Sequence, residues 1–198
     1  MERKHIYWLG LCVVIAVLVC GIANIQASRA TQTSAPAPTD NKTQLEAFEA
    51  QTGTVIVKGY TRINTVQSIG RVSVDCMEIT NANTGRKQTG IMFEVVELGR
   101  LDRSSRSYVD YDEIEPLLNG IDYLSKLTVS CTQLSNFEAV YVTQGTLKIV
   151  VYNDESGAIE VAVKSGHIGS VTAFIKIKDL AEIRTCVAKA KKQLDDIR

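Results

Sequence analysis

From Gly53 onward the apolar positions of this chain recur mostly with a period of two, giving way twice to a period near 3.6. Val55 and Val57 alternate with Thr54, Ile56 and Lys58, which predicts an edge-like strand. Val72, Val74 and Cys76 share one face, with Arg71, Ser73 and Asp75 on the other. After the turn signal Asn83-Thr84-Gly85, Ile91, Phe93 and Val95 face one way on a return strand. That pattern predicts a hairpin with one buried and one wet face. Residues 99–107, rich in Arg and Ser, predict a polar loop. The second half predicts a four-strand meander, with inward sets Phe137, Ala139, Tyr141; Leu147, Ile149, Val151; Ile159, Val161, Val163; and Val171, Ala173, Ile175.

The 3.6 period marks two helices. Ile114, Leu117, Leu118, Ile121 and Leu124 form the first stripe. Pro116 is tolerated only in a first turn, so this helix starts near 112–115, and the acidic run Asp110 to Glu115 suits its positive end. Gly120 in mid-helix predicts the close approach of a strand. Leu180, Ile183, Val187, Ala190 and Leu194 form the second stripe, with Asp179 and Glu182 at capping-box spacing. Each half is therefore antiparallel strands followed by one helix, about three strands and then four. Gly53-Thr54-Val55 and Gly145-Thr146-Leu147 hint at an internal duplication. The expected fold class is α+β: one twisted antiparallel sheet of about seven strands in two β-meander halves, with both main helices packed on one face.

The chain before Gly53 has a different texture. Glu2, Arg3 and Lys4 precede an uncharged apolar run from Ile6 to Ala23. A short exit follows, ending at Ile25-Gln26-Ala27, in the order of a secretory signal. The run falls between the roughly 7–15 residues of a signal core and the about 20 of a spanning helix. Residues 1–27 are thus read as a signal peptide, or as an N-terminal anchor left uncleaved over residues 6–23. A lipoprotein cut before Cys20 is a third reading, against which Val19 stands where a small residue is wanted. All three place residues 28–198 outside the cytosol, secreted or periplasmic. Residues 28–43 lack large apolar side chains and are read as a flexible linker, leaving 44–198 as a single α+β domain.

Composition excludes several function classes. Lys plus Arg and Asp plus Glu both number 22, with no basic stripe, so nucleic acid is not an expected partner. The membrane is an expected partner only through the N-terminal segment. No phosphate-binding loop or dinucleotide fingerprint occurs, and no cofactor is expected. Cys76, Cys131 and Cys186 form no Cys-x-x-Cys unit, and with two histidines in the chain a zinc site of common spacing is excluded. One disulfide among the three would suit an oxidising compartment; the plainer reading is small buried hydrophobes.

Four residues are candidate ligand contacts: Tyr108, Asp110, Asp112 and His167. The run Tyr108 to Glu115 gathers carboxylates and tyrosines in a way that suits a cation or carbohydrate, although it lacks the calcium-loop pattern. The plainer reading is a capped helix start, since Asp110 and Glu113 have capping-box spacing. His167 sits at a meander turn and could act as a base or a pH-sensitive contact. Cys131 could be a nucleophile paired with it. Arg100, Arg103 and Arg106 could clamp an anion, or simply line a solvated loop.

Tyr108 to Ile114, then Gly120-Ile121-Asp122-Tyr123, then Asn136-Phe137-Glu138-Ala139 with Tyr141, resemble exported bacterial proteins of uncharacterised role, over about residues 70–195. The resemblance implies an exported bacterial protein and no activity. The expected function is a non-catalytic exported domain that binds a protein or small ligand outside the cytosol. The alternative is a small hydrolase using Cys131 or His167.

Overall fold

A computed structural model describes residues 42–166 and 169–198. The leader, nearly all of the linker and His167 lie outside the described residues. Among those described, no helix is long and apolar enough to cross a membrane.

Eight strands form two separate four-stranded antiparallel sheets. Sheet A is the meander β1 (Ile56–Ser68), β2 (Gly70–Asn81), β3 (Lys87–Glu97) and β4 (Arg103–Asp110). Sheet B is the meander β5 (Glu138–Val142), β6 (Lys148–Asn153), β7 (Ile159–Ser165) and β8 (Val171–Lys176). A 3-10 turn and a helix follow each sheet. Tyr111–Glu113 leads into α2 (Ile114–Leu124), and Ile177–Asp179 into α3 (Leu180–Asp195). A short helix, α1 (Gln44–Glu49), precedes β1. The α+β class stands, and the single seven-stranded sheet does not.

The missing strand is β4, in the segment expected to be a loop. Ser107 is buried and Ser105 half-buried, and both are bonded to Ser165 of β7: Ser107 Oγ lies 2.8 Å from Ser165 Oγ, which donates to Ser105 Oγ at 3.2 Å. Buried hydroxyls with partners cost little, so a serine-rich strand can line the seam between the sheets. The two halves do repeat one topology, but Gly53 precedes the first strand of its half and Gly145 the second strand of the other. The sequence match that hinted at duplication therefore joins positions that are not equivalent.

The predicted hairpin is observed, its two inward sets paired with Val72 opposite Val95, Val74 opposite Phe93 and Cys76 opposite Ile91. These side chains, the inner faces of both sheets and both helix stripes form one buried cluster. The helices are exchanged between halves. α3, which follows sheet B, lies across β1, β2 and β3 of sheet A, while α2, which follows sheet A, packs on α3 and against β5 of sheet B. The helices thus pack on each other, one against sheet A and one against β5 of sheet B, rather than both on one face of a single sheet. At Gly120 any side chain would run into the Tyr141 ring of β5, which is the close approach the glycine predicts.

The sheets join at one corner. Ile69 N donates to Phe174 O at 3.0 Å and Phe174 N to Ile69 O at 2.8 Å. Gly70 makes that corner possible: its φ is +110°, and a Cβ there would stand 2.7 Å from the Ala173 Cβ.

Caps depart from expectation in their partners. Asp179 does not cap α3 with its side chain; its carboxylate accepts from Lys176 N at 3.0 Å, at the head of the 3-10 turn. Thr43, assigned to the linker, is fully buried and forms a capping box with Glu46 at the start of α1.

Because Leu118 and Ile183 sit in the shared cluster, Leu118→Ala and Ile183→Ala should each destabilise by about 2–4 kcal/mol in urea unfolding. A loss under about 0.5 kcal/mol for either would place that residue outside the core.

Candidate functional site

Each sheet has an inner face in the core and an outer face that something else must cover. On sheet A the outer face is closed by the chain itself. Met77, Ile79 and Met92 point outward and are buried against Leu45 and Phe48 of α1, with Tyr108 beside them. Next to that cover Tyr60 stands exposed opposite Met77, and further along the face lies an ion network. Arg62 donates to both Asp75 carboxylate oxygens, to Ser73 Oγ (3.0 Å) and to Glu94 Oε2 (3.3 Å), and Arg106 donates to Glu94 Oε1 (3.1 Å). The Asp75 side chain is only 1% exposed. Its hydrogen bonds raise the Arg62 pKa further.

Three of the sequence candidates fall beside this closure. Asp110 is buried and accepts from Gln44 N (2.5 Å) and Leu45 N (3.0 Å). It therefore caps α1, a helix distant in sequence, and makes no side-chain cap at the turn that follows it. Burial raises its pKa, and the two amides pull the other way. Tyr108 is pushed up to about 12 by burial, and next by its hydrogen bond to the Glu49 carboxylate. Asp112 is exposed, and His167 is outside the described residues. Glu113 accepts from Gln144 N at 2.8 Å, while its Oε2 is buried without a partner. Burial raises its pKa too. Among the described residues, no His, Cys, Asp and Glu side chains gather closely enough to hold a metal ion.

The remaining candidates are dispersed. Cys131 is exposed, in a 3-10 turn between α2 and β5, whereas Cys76 and Cys186 are buried and unbridged. The reading of all three as buried thiols fails at Cys131. Arg103 pairs with Glu97 at 3.6 Å and Arg106 with Glu94. Three residues apart on β4, they point to opposite faces and form no clamp.

Sheet B differs from sheet A: among the described residues, no helix covers its outer face. The strand register lays that face out in rows across the sheet. One row reads Glu138, Tyr152, Glu160, Lys176. The middle row is apolar throughout: Val140, Val150, Ala162, Phe174, extended by Ile69 where it pairs with Phe174. The third row reads Val142, Lys148, Lys164, Thr172. Val150 and Ala162 are the buried floor, at 3% and 2% exposed, and Val140, Phe174 and Ile69 stand out at 46%, 39% and 75%. Two shallow grooves, about 300 and 270 Å3, run beside Val150 between these rows. The sequence carried a signal for this face that strand-by-strand reading passed over. On all four strands, the central outward residue, where alternation calls for a polar side chain, is apolar.

No family model matches the chain, and no curated protein or solved structure is detectably similar to it.

Two measurements follow from these environments. Tyrosine has an ordinary pKa near 10, and Tyr108 holds its proton to about 12 in the fold. Its contribution is therefore complete below about pH 10 and is lost as pH rises through about 12. Tyr108→Phe should flatten the alkaline fall in urea midpoint across that window; an unchanged slope would separate Tyr108 from α1. Separately, peptide mapping after treatment with a thiol reagent should find Cys131 labelled in the native chain. Cys76 and Cys186 should label only in urea.

Proposed function

We propose that this chain is an exported domain that acts by binding, and that its partner docks on the outer face of sheet B. The observation that carries this reading is the contrast between the two sheets. Both present outward apolar side chains. On sheet A most of them are covered by α1, Tyr60 excepted; on sheet B, among the described residues, Val140, Phe174 and Ile69 stand exposed along one row over the buried Val150 and Ala162. A contiguous apolar row rimmed by charged residues is the mark of an interaction surface rather than of scattered exposed hydrophobes. The order of charged head, apolar run and small-residue exit at the N-terminus supports a location outside the cytosol.

The test is photo-crosslinking in cells that export the full chain. A photoreactive phenylalanine analogue at Phe174 should give a discrete adduct. The same analogue at Tyr123, exposed on α2, should give none. A chain without an adduct at Phe174, or with equal labelling at both sites, would remove the docking face.

A further inference from the structure

The outer face of sheet B is self-complementary, and we infer that its occupant is a second copy of this chain, related by a two-fold axis lying along the apolar row. The inference rests on the docking role proposed for this face. Turning one copy over about the line from Val140 to Phe174 brings each apolar side chain against its own counterpart. The same turn lays the row containing Tyr152 and Glu160 over the row containing Lys148 and Lys164. Glu160 then meets Lys164 of the second copy, and Tyr152 meets its Lys148, each contact occurring twice by symmetry. A carboxylate faces an ammonium, and a tyrosine ring faces an ammonium.

The charges also select this axis over the other in-plane choice. An axis parallel to the strands, between β6 and β7, would pair Glu138 with Lys176 of the other copy at the edges but lay Lys148 on Lys164 in the middle of the face. Like charges face to face are disfavoured. With the axis along the row, the strands of the two copies stay aligned, the usual geometry for sheets packed about 10 Å apart. The charges argue against a polyanion as occupant as well. Lys148, Lys164 and Lys176 share the face with Glu138 and Glu160, so both signs are interspersed on it, whereas an anion-binding surface carries one sign. Four strands at about 4.8 Å spacing and six-residue strands at about 3.3 Å per residue give a footprint of roughly 20 Å on a side. That is about 400 Å2 per copy, roughly half the burial per partner of a standard stable interface, so the dimer should be weak and concentration-dependent.

The test uses charge reversal in the full chain, followed by sedimentation velocity across a concentration series, with detergent present if the N-terminal segment stays attached. The wild-type chain should show a monomer–dimer equilibrium. Glu160→Lys and Lys164→Glu should each weaken it by about tenfold, since each variant opposes like charges twice. An equimolar mixture of the two variants should recover association close to wild type, because both contacts then pair opposite charges. Thermal melting of each variant checks that loss of the dimer is not loss of the fold. Association indifferent to both reversals, or reversals that weaken it without recovery in the mixture, would overturn the two-fold arrangement. A monomeric wild-type chain whose Phe174 adduct carries the mass of a different protein would overturn the second copy while leaving the docking face in place. Absence of any adduct would remove both.

Discussion

The two halves of this protein are held together by an exchange of helices, and the rest of the structure depends on it. A four-stranded sheet with one apolar face and its own short helix has little to bury. Here α3 leaves sheet B to cover sheet A, and α2 leaves sheet A to pack on α3 and β5. Phe93 and Val74 from one half, Ile149 and Val163 from the other, and Leu117, Ile121, Ile183 and Val187 from the helices enter a single cluster. Neither half can then lose its packing without opening the other, as expected of a domain with one hydrophobic core. The Ile69–Phe174 pair and the serines of β4 and β7 close the seam where side chains must be small or polar.

One core closes only two of the four sheet faces. What happens at the other two sets the character of the molecule. On sheet A, Asp110 offers its carboxylate to the first amides of α1, and the helix lays Leu45 and Phe48 over Met77, Ile79 and Met92. The anion sits at the positive end of the helix, so one buried acid anchors the whole cover. Further along the face lies the ion network, Arg62 with Asp75 and Arg106 with Glu94. On sheet B the corresponding apolar row has neither a helix nor an ion network over it among the described residues. A fold built by repeating one topology thus ends with two unlike outer faces, one finished and one open.

Much of the fold was legible one element at a time. The inner sets of β2, β3 and β5 to β8 were readable because alternation assigns alternate side chains to opposite faces. Both helix stripes were readable because 3.6-residue spacing survives any tertiary arrangement. The errors fell where a residue's partner is remote. Ser105 and Ser107 look like loop residues until Ser165, brought from the other half, satisfies them. Asp110 looks like the cap of the helix beside it, but binds one that begins 66 residues earlier. Thr43 looks like linker, though its spacing to Glu46 held the capping signature.

The sequence by itself determined the strands β2, β3 and β5 to β8, the helices α2 and α3, and which of their side chains point inward, because these follow from local period and sterics. Tertiary structure alone decided that there are two sheets rather than one, that the helices cross between halves, and that α1 covers one outer face while the other stays open among the described residues. Those are questions of what meets what across a long stretch of chain. Period two states that a strand has two faces; it carries no information about what lies against each. The open row of sheet B belongs to both kinds of knowledge. Its apolar members stand in plain view at the centre of four successive strands, yet they become one surface only when the register sets them side by side.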